Sequence, residues 1–195
     1  MTIGRWDPAN SRASTFVGGK AGAMLVVSQN TRSGQPIAPA ERIDVIAGIS
    51  AEAPDEAVWS LCGVTTNDRY TTRSEKAELI SRQAPIGRPE ATSAALILLR
   101  KNAEWWAMSQ DERRTILEEN SHHIAIGLRY LPGVARRLLH CRDLGFDAPF
   151  DFIGLLDYAP AYEMAFDEML GQLRATKEWT FMEREVDIRL VKIAE

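Results

Sequence analysis

The sequence holds three histidines, His122, His123 and His140. Two adjoin in Ser121-His122-His123-Ile124-Ala125-Ile126-Gly127. On a helix, neighbouring side chains diverge by about 100 degrees, so this pair cannot share one ligand site and at most one member faces inward. A lone helical histidine is more often a surface or satisfied core residue than a metal ligand. His123 and Gly127 stand one helical turn apart on one face, and the glycine removes bulk beside the imidazole. A flat macrocycle lying on the helix needs that space; close helix packing is the other common use of a helical glycine. Zinc is less attractive, because neither a HExxH spacing nor cysteine partners are present. Haem needs only one protein ligand, and a single inward histidine suffices.

Arg136 and Arg137 follow Pro132-Gly133. In an unbroken helix, position 136 lies about 140 degrees round from position 123. The break lets the chain turn, so an arginine there can reach a pocket that the histidine sees from another side. A solvated helix face carrying Arg136, Arg137 and Arg142 is the commoner meaning of such a charge pattern. Trp105-Trp106 divides either between core and surface or between core and a subunit interface, and a porphyrin edge is the sharper alternative. Glu178, Glu183 and Glu185 place acids near the last apolar segment, where each also fits an ordinary surface charge.

The chain has 195 residues, 45% hydrophobic and 26% charged. That is the balance of a globular protein, with room for one domain or two small fused halves. The 23 basic residues against 27 acidic ones give a net charge of −4. A protein that grips nucleic acid through its phosphates shows a basic excess, so no nucleic-acid partner is expected. No run approaches the ~18 apolar residues of a membrane span, and no membrane partner is expected either. Cys62 and Cys141 read as two core thiols rather than a disulfide or zinc framework. The start, with Arg5, Trp6 and Asp7, lacks the apolar region of a secretory signal, which makes the reducing cytoplasm the expected compartment.

Strands are expected at 22–27, 43–46, 58–64 and 94–100, with a polar loop over 28–40 and a turn at Glu52-Ala53-Pro54-Asp55. Residues 74–83 read as a helix with a serine cap, ended by Gly87-Arg88-Pro89. The pattern over 109–139 is helical, with Asp111 and Glu112 early, where the dipole favours acids. Pro132-Gly133 must divide that span into two helices or bend it sharply, because proline lacks a donor and clashes with the preceding turn. Residues 150–158 read as a strand and 161–175 as an amphipathic helix. Val186-Asp187-Ile188-Arg189-Leu190 alternates with the period of a half-buried strand. The fold class is α+β, mostly antiparallel, without internal sequence repeats and with a composition shift near Asn102 as the internal boundary.

The run His123-Ile-Ala-Ile-Gly-Leu-Arg-Tyr-Leu-Pro-Gly-Val-Ala-Arg-Arg-Leu-Leu-His-Cys-Arg-Asp-Leu144 resembles the chlorite dismutase family. So does Thr176-Lys-Glu-Trp-Thr-Phe-Met-Glu-Arg-Glu-Val-Asp-Ile-Arg-Leu-Val191, together with segments 63–70, 101–106 and 150–160. The likeness runs from around residue 20 to the end, with the motifs in the family's order and spacing. It implies a dimeric ferredoxin-like α+β barrel of two ferredoxin-like halves. Residues 1–101 form a reduced N-terminal half and residues 102–195 a half that binds haem b. The chain resembles the short lineage, whose members are homodimers rather than pentamers.

By that resemblance, His123 is the proximal haem iron ligand. Glu178 accepts the ligand's other ring N–H, with Glu183 in reserve, and Lys101 completes the network. Arg136 is the flexible distal arginine and Gln83 the glutamine that holds it; these two are the implied catalytic pair. Trp105, Trp106, Leu131, Tyr70 and Gly127 line the haem pocket. The implied reaction turns chlorite into chloride and dioxygen through a ferryl species and a hypochlorite fragment, which recombine to form the O–O bond. A carboxylate on the proximal N–H strengthens imidazole as a donor, and a permanently charged guanidinium keeps the anionic fragment close. The segment after Phe152 departs from the family, reading Ile-Gly-Leu-Leu-Asp-Tyr where relatives more often carry an aromatic and Glu before the tyrosine. Two other functions compete: coproheme decarboxylation, whose enzymes generally lack the distal arginine, and a haem sensor or carrier, which would evolve almost no oxygen.

Overall fold

In Ser93–Lys101, Ala94, Leu96 and Leu98 alternate with Ala95 and Ile97, and both sets are buried. A strand apolar on both faces must lie between two packed layers. The computed structural model, which describes residues 11–50, 54–66, 68–144 and 147–193, shows those layers. The Arg5-Trp6-Asp7 segment, and Glu52 and Ala53 of the expected turn, lie outside the described residues.

The elements run β1 (Ala13–Gly19), β2 (Met24–Ser33), β3 (Arg42–Ala47), β4 (Ala57–Val64), α1 (Arg73–Arg82), β5 (Ser93–Lys101), α2 (Ala103–Ala107) and α3 (Gln110–Arg114). A π-helical stretch, Thr115–Asn120, continues α3. There follow α4 (His123–Tyr130), β6 (Val134–His140), β7 (Phe152–Tyr158), α5 (Glu163–Arg174) and β8 (Met182–Lys192). The strands close into a barrel in the order β1-β3-β2-β8-β5-β7-β6-β4, all pairings antiparallel. One order, fourth-first-third-second, occurs twice round it: β4-β1-β3-β2 and β8-β5-β7-β6.

Phe16, Ile43, Leu96, Leu98, Ile153 and Ile188 fill the barrel. Outside it, Ala95, Ile97, Val134, Leu156 and Tyr158 meet Ile126 of α4 and Phe166, Met169, Leu170 and Leu173 of α5. Thus α4, which begins at His123, lies on the outer face of the second half. In turn α1 packs on α4 through Leu79 against Ile124, Leu128 and Leu131. Among the described residues no helix is long and apolar enough to cross a membrane. Both cysteines are free, and burial pushes the Cys141 thiol up to about 12.

Several expectations need correction. Residues 134–140 form a strand, not the second half of a broken helix: past Pro132-Gly133 the chain finds a pairing edge in β7, with Arg136 opposite Leu156. Arg136 and Arg137 therefore take opposite faces of a strand. The loop expected from residue 28 starts only after Ser33, because β8 supplies ladder partners from Ser28↔Arg189 to Ser33↔Glu185. The α1 cap is Thr72, whose Oγ1 accepts from Glu75 N–H at 3.3 Å while the Glu75 carboxylate accepts from Thr72 N–H at 2.6 Å. β1 was not expected, since Gly18-Gly19 obscures its alternation. Gly18 is needed there, because a Cβ would lie 2.1 Å from the Trp59 ring.

Between the π-helical stretch and α4, His122 sits at φ 53°, a left-handed conformation that costs an L-residue about 1–2 kcal/mol. Glycine adopts it freely, at some loss of chain entropy. His122→Gly is expected to raise stability by up to about 1 kcal/mol, read from the urea midpoint of the cofactor-free protein. A lowered midpoint would show that the bend carries no strain.

Candidate active site

The site is assembled where four element ends converge. A register shift between Arg100 and Lys101 at the end of β5 re-aims Lys101, the usual consequence of a bulge. Its side chain is 3% exposed. Lys101 Nζ donates to Glu178 Oε1 at 2.8 Å and to the Glu178 carbonyl at 3.2 Å, and lies 4.1 Å from the centre of the Trp105 ring. Glu178 opens a short 3-10 turn before β8, and its N–H donates to the buried Ser121 Oγ at 2.9 Å. Its second oxygen, Oε2, lies 2.5 Å from His123 Nδ1. The sequence pointed to Glu178 with Glu183 in reserve; Glu183 is exposed and faces Arg100 instead.

Burial pushes the Glu178 carboxyl up, but the His123 and Lys101 charges and hydrogen bonds outweigh it and hold the group at about 2. The Lys101 ammonium moves down, because its burial outweighs the Glu178 attraction. The two partners differ for a simple reason: the carboxylate is approached by two donors, His123 Nδ1 and Lys101 Nζ, whereas the ammonium faces one close carboxylate.

His123 is aimed by its surroundings. The Glu118 carboxylate, on the π-helical stretch, accepts from the backbone N–H of Ile124 at 2.6 Å and of Ala125 at 3.3 Å. It thus caps α4 in place of His122, which makes no capping bond. π-helical stretches often lie at functional sites, and this one brings Glu118 back over the helix that follows. With Nδ1 engaged, His123 Nε2 has no hydrogen-bond partner among the described residues.

One turn along that face is Gly127. A Cβ there would lie 3.6 Å from Arg136 Nη1 and 3.8 Å from Arg136 Cζ. The guanidinium, carried on the outer face of β6, therefore lies against the face of α4 that presents His123. It makes no hydrogen bond or ion pair among the described residues. Burial moves it below its ordinary value, against the attraction of Asp68. Gln83, the C-cap of α1, donates to the Arg136 main-chain carbonyl at 3.0 Å, so its contact is with the strand and not with the guanidinium. Beyond Arg136, Leu138, Gly154 and Ile97 stand in register across β6, β7 and β5, and Leu138 is 50% exposed.

Asn102 Oδ1 accepts from Trp105 N–H at 3.0 Å, which starts α2 and sets both tryptophans. Trp105 is 1% exposed, yet its indole Nε1 has no hydrogen-bond partner among the described residues. Tyr70 meets it edge-on at 6.2 Å and receives a hydrogen bond from Arg113 at 3.3 Å. Trp106 stacks on Phe152, lies beneath the Arg142 guanidinium at 4.2 Å and donates to Asp151 Oδ2 at 3.1 Å. The same oxygen accepts from Lys101 N–H at 2.7 Å. Leu131 lies apart, in the α1–α4 contact. Glu118, Ser121 and Asp151 were missed by sequence reasoning: each acts on a neighbour's backbone or indole, and no local pattern marks that role.

The residues fit a planar, anionic, single-ligand metal macrocycle. One imidazole nitrogen is anchored and the other left over, no side chain stands at Gly127, and a buried indole N–H lacks an acceptor. Among the described residues no group of three or more His, Cys, Asp or Glu could chelate a bare metal ion.

The sequence model described as chlorite dismutase matches residues 10–193. A dimeric chlorite dismutase from Nitrobacter winogradskyi shares 48% identity, superposes with a TM-score of 0.84, and is matched over 92% of this chain and 99% of its own. A chlorite dismutase from Candidatus Nitrospira defluvii in complex with imidazole shares 20% identity at a TM-score of 0.67, over 94% of this chain and 92% of that one. At that identity the likeness is one of fold.

Glu178 contributes stability that is fully present above its ordinary value of 4.5 and is lost as pH falls toward about 2. An acid titration of folding should show this limb, and Glu178→Gln should flatten it; an unchanged limb would place the titrating group elsewhere. Glu118→Ala is expected to cost about 1–2 kcal/mol in urea, as loss of a helix cap does. No change would mean that water replaces the cap.

Proposed function

This chain belongs to the chlorite dismutase family, and from that premise we propose how its residues perform the conversion of chlorite to chloride and dioxygen. It is a haem-dependent enzyme, with haem b as the proposed form. When bound, the haem supplies the redox centre through which one chlorite oxygen is given up and recovered.

The remaining roles belong to the protein. His123 Nε2 would hold the iron, while its Nδ1–H donates to Glu178, which fixes the tautomer and makes the imidazole the stronger donor. Lys101 keeps Glu178 ionised, so the proton remains on His123 Nδ1 instead of passing to the carboxylate. The Trp105 indole N–H is available to an anionic edge of the macrocycle. Arg136, carried on β6 against α4, would attract chlorite through its permanent charge. The same charge would keep an anionic hypochlorite fragment within the pocket. Its partly dry setting makes that attraction stronger than in water. Because the guanidinium lies beside Gly127, a macrocycle bound against that face would displace the Arg136 side chain from α4. Gln83 keeps the strand that carries Arg136 in place.

The two fourth-first-third-second sheets are the proposed ferredoxin-like halves; among the described residues β1–β4 follow one another without an intervening helix, whereas α2 to α5 lie between the strands of β5–β8. Since β5 pairs with β7 and β8, grouping it with the second half is part of the same proposal, with a boundary before Ser93 in place of the one expected near Asn102. A homodimer and a cytoplasmic location are further proposals, the first from the dimeric relative and the second from the two free thiols.

The observation that carries this reading is the anchored imidazole sharing one face of α4 with an unpaired guanidinium. Protein reconstituted with haem b should release oxygen from chlorite at a Clark electrode and be silent without haem. Arg136→Ala should keep haem and lose about 100-fold or more in rate, the scale of removing an oxyanion-stabilising donor; an unaltered rate removes it from the mechanism. His123→Ala should lose stable haem binding, and an unchanged Soret band defeats the ligand assignment. A silent electrode beside a normal haem spectrum would favour a carrier.

A further inference from the structure

We propose that Arg88 is a positioning residue. Its guanidinium forks across the turn that joins α4 to β6 and so sets the spacing between His123 and Arg136. The inference rests on the reading of those two residues given above.

The turn contains Leu131, Pro132 and Gly133, which precede the β6–β7 ladder that starts at Val134↔Tyr158. Arg88 Nη1 donates to the Pro132 carbonyl at 3.0 Å and Nη2 to the Gly133 carbonyl at 3.1 Å. Nη2 also reaches the Asp157 carbonyl at 3.4 Å, on the strand that pairs with β6. Only 17% of the Arg88 side chain is exposed. Two parallel donors on a rigid plane suit consecutive carbonyls, a geometry the single nitrogen of lysine cannot reproduce. From the other side the turn is pressed by Tyr162, since a Cβ on Gly133 would lie 2.7 Å from its ring.

The chain just before Arg88 grips the same assembly at two more points. Arg82 Nη1 donates to the Leu128 carbonyl in the last turn of α4 at 3.4 Å, and Gln83 holds the Arg136 carbonyl at 3.0 Å. Residues 79–88 therefore touch the helix that carries His123, the turn, and the strand that carries Arg136. The Arg88 charge is the smaller part of its role. Asp157 Oδ2 already accepts from Gly87 N–H at 2.6 Å and from Lys192 Nζ at 3.1 Å, whereas Arg88 stands 3.6 Å from Oδ1. Removing the fork while keeping the charge should leave the fold intact and loosen the gap into which the macrocycle enters.

Arg88→Lys is the deciding variant. Its urea midpoint without cofactor should match the parent protein. Titration with haem b should show affinity about tenfold weaker, the lower end of what lost outer partners cost a metal site. The ferric electron paramagnetic resonance spectrum should split into more than one species, and kcat should fall more than KM rises. A merely stabilising role predicts the reverse: a lowered midpoint, or none, with a single unchanged ferric spectrum. Parental haem affinity with a single parental spectrum in Arg88→Lys overturns the proposal. His123→Ala runs alongside. If it binds haem with an unaltered spectrum, the reading of the site falls and the Arg88 proposal with it. If it loses haem while Arg88→Lys is unaltered, only the Arg88 proposal falls.

Discussion

A carboxylate in a nearly dry position is the constraint on which this site turns. Glu178 is 3% exposed, and an uncompensated charge there would cost several kcal/mol. It is tolerable because His123 and Lys101 approach its two oxygens from opposite sides. The arrangement is not chiefly a source of stability, since a buried ion pair roughly breaks even against an apolar replacement. Its consequence is directional. With both oxygens spoken for, the imidazole has one orientation and one remaining nitrogen.

Much of the local irregularity near the site follows from the need to bring those three groups together. The shift at the end of β5 turns Lys101 inward, and the left-handed His122 redirects the chain so that His123 opens a new helix. The π-helical stretch returns Glu118 to cap that helix, and Ser121 ties down the backbone of Glu178. A regular strand and an unbroken helix would satisfy their own backbones better and miss one another.

The opposite wall is held from outside the half of the barrel that bears it. α1 is tied to α3 through the two-pronged Arg114–Glu75 pair, at 2.7 Å on each prong, which holds the Glu75 carboxyl at about 2. The same helix packs on α4 and, through Gln83, holds β6. The spacing between the imidazole and the guanidinium is thus a property of a third element as well as of the two that carry them. That explains why a strand residue whose side chain is unpaired can be held at a defined place.

Much of this was legible in the sequence. The period-2 alternation in 186–190 and the apolar run of 94–100 announced strands, and the Gly127 spacing marked the face of α4 that it shares with His123. His123 and Arg136 stood out by type and spacing, whereas Lys101 and Glu178 were named only through the resemblance of their segments to the chlorite dismutase family. The strand nature of 134–140 could not be read from the sequence, since Val-Ala-Arg-Arg-Leu-Leu-His suits a helix equally and only the free edge of β7 selects the extended form. Nor could the choice of Glu178 over Glu183, the cap supplied by Glu118, or the contact of Gln83 with a carbonyl rather than a guanidinium. By itself the sequence determined which groups are available and the faces on which local periodicity sets them. The tertiary structure alone decided which of them meet, because hydrogen bonds and charge pairing depend on distances between segments that share no local pattern.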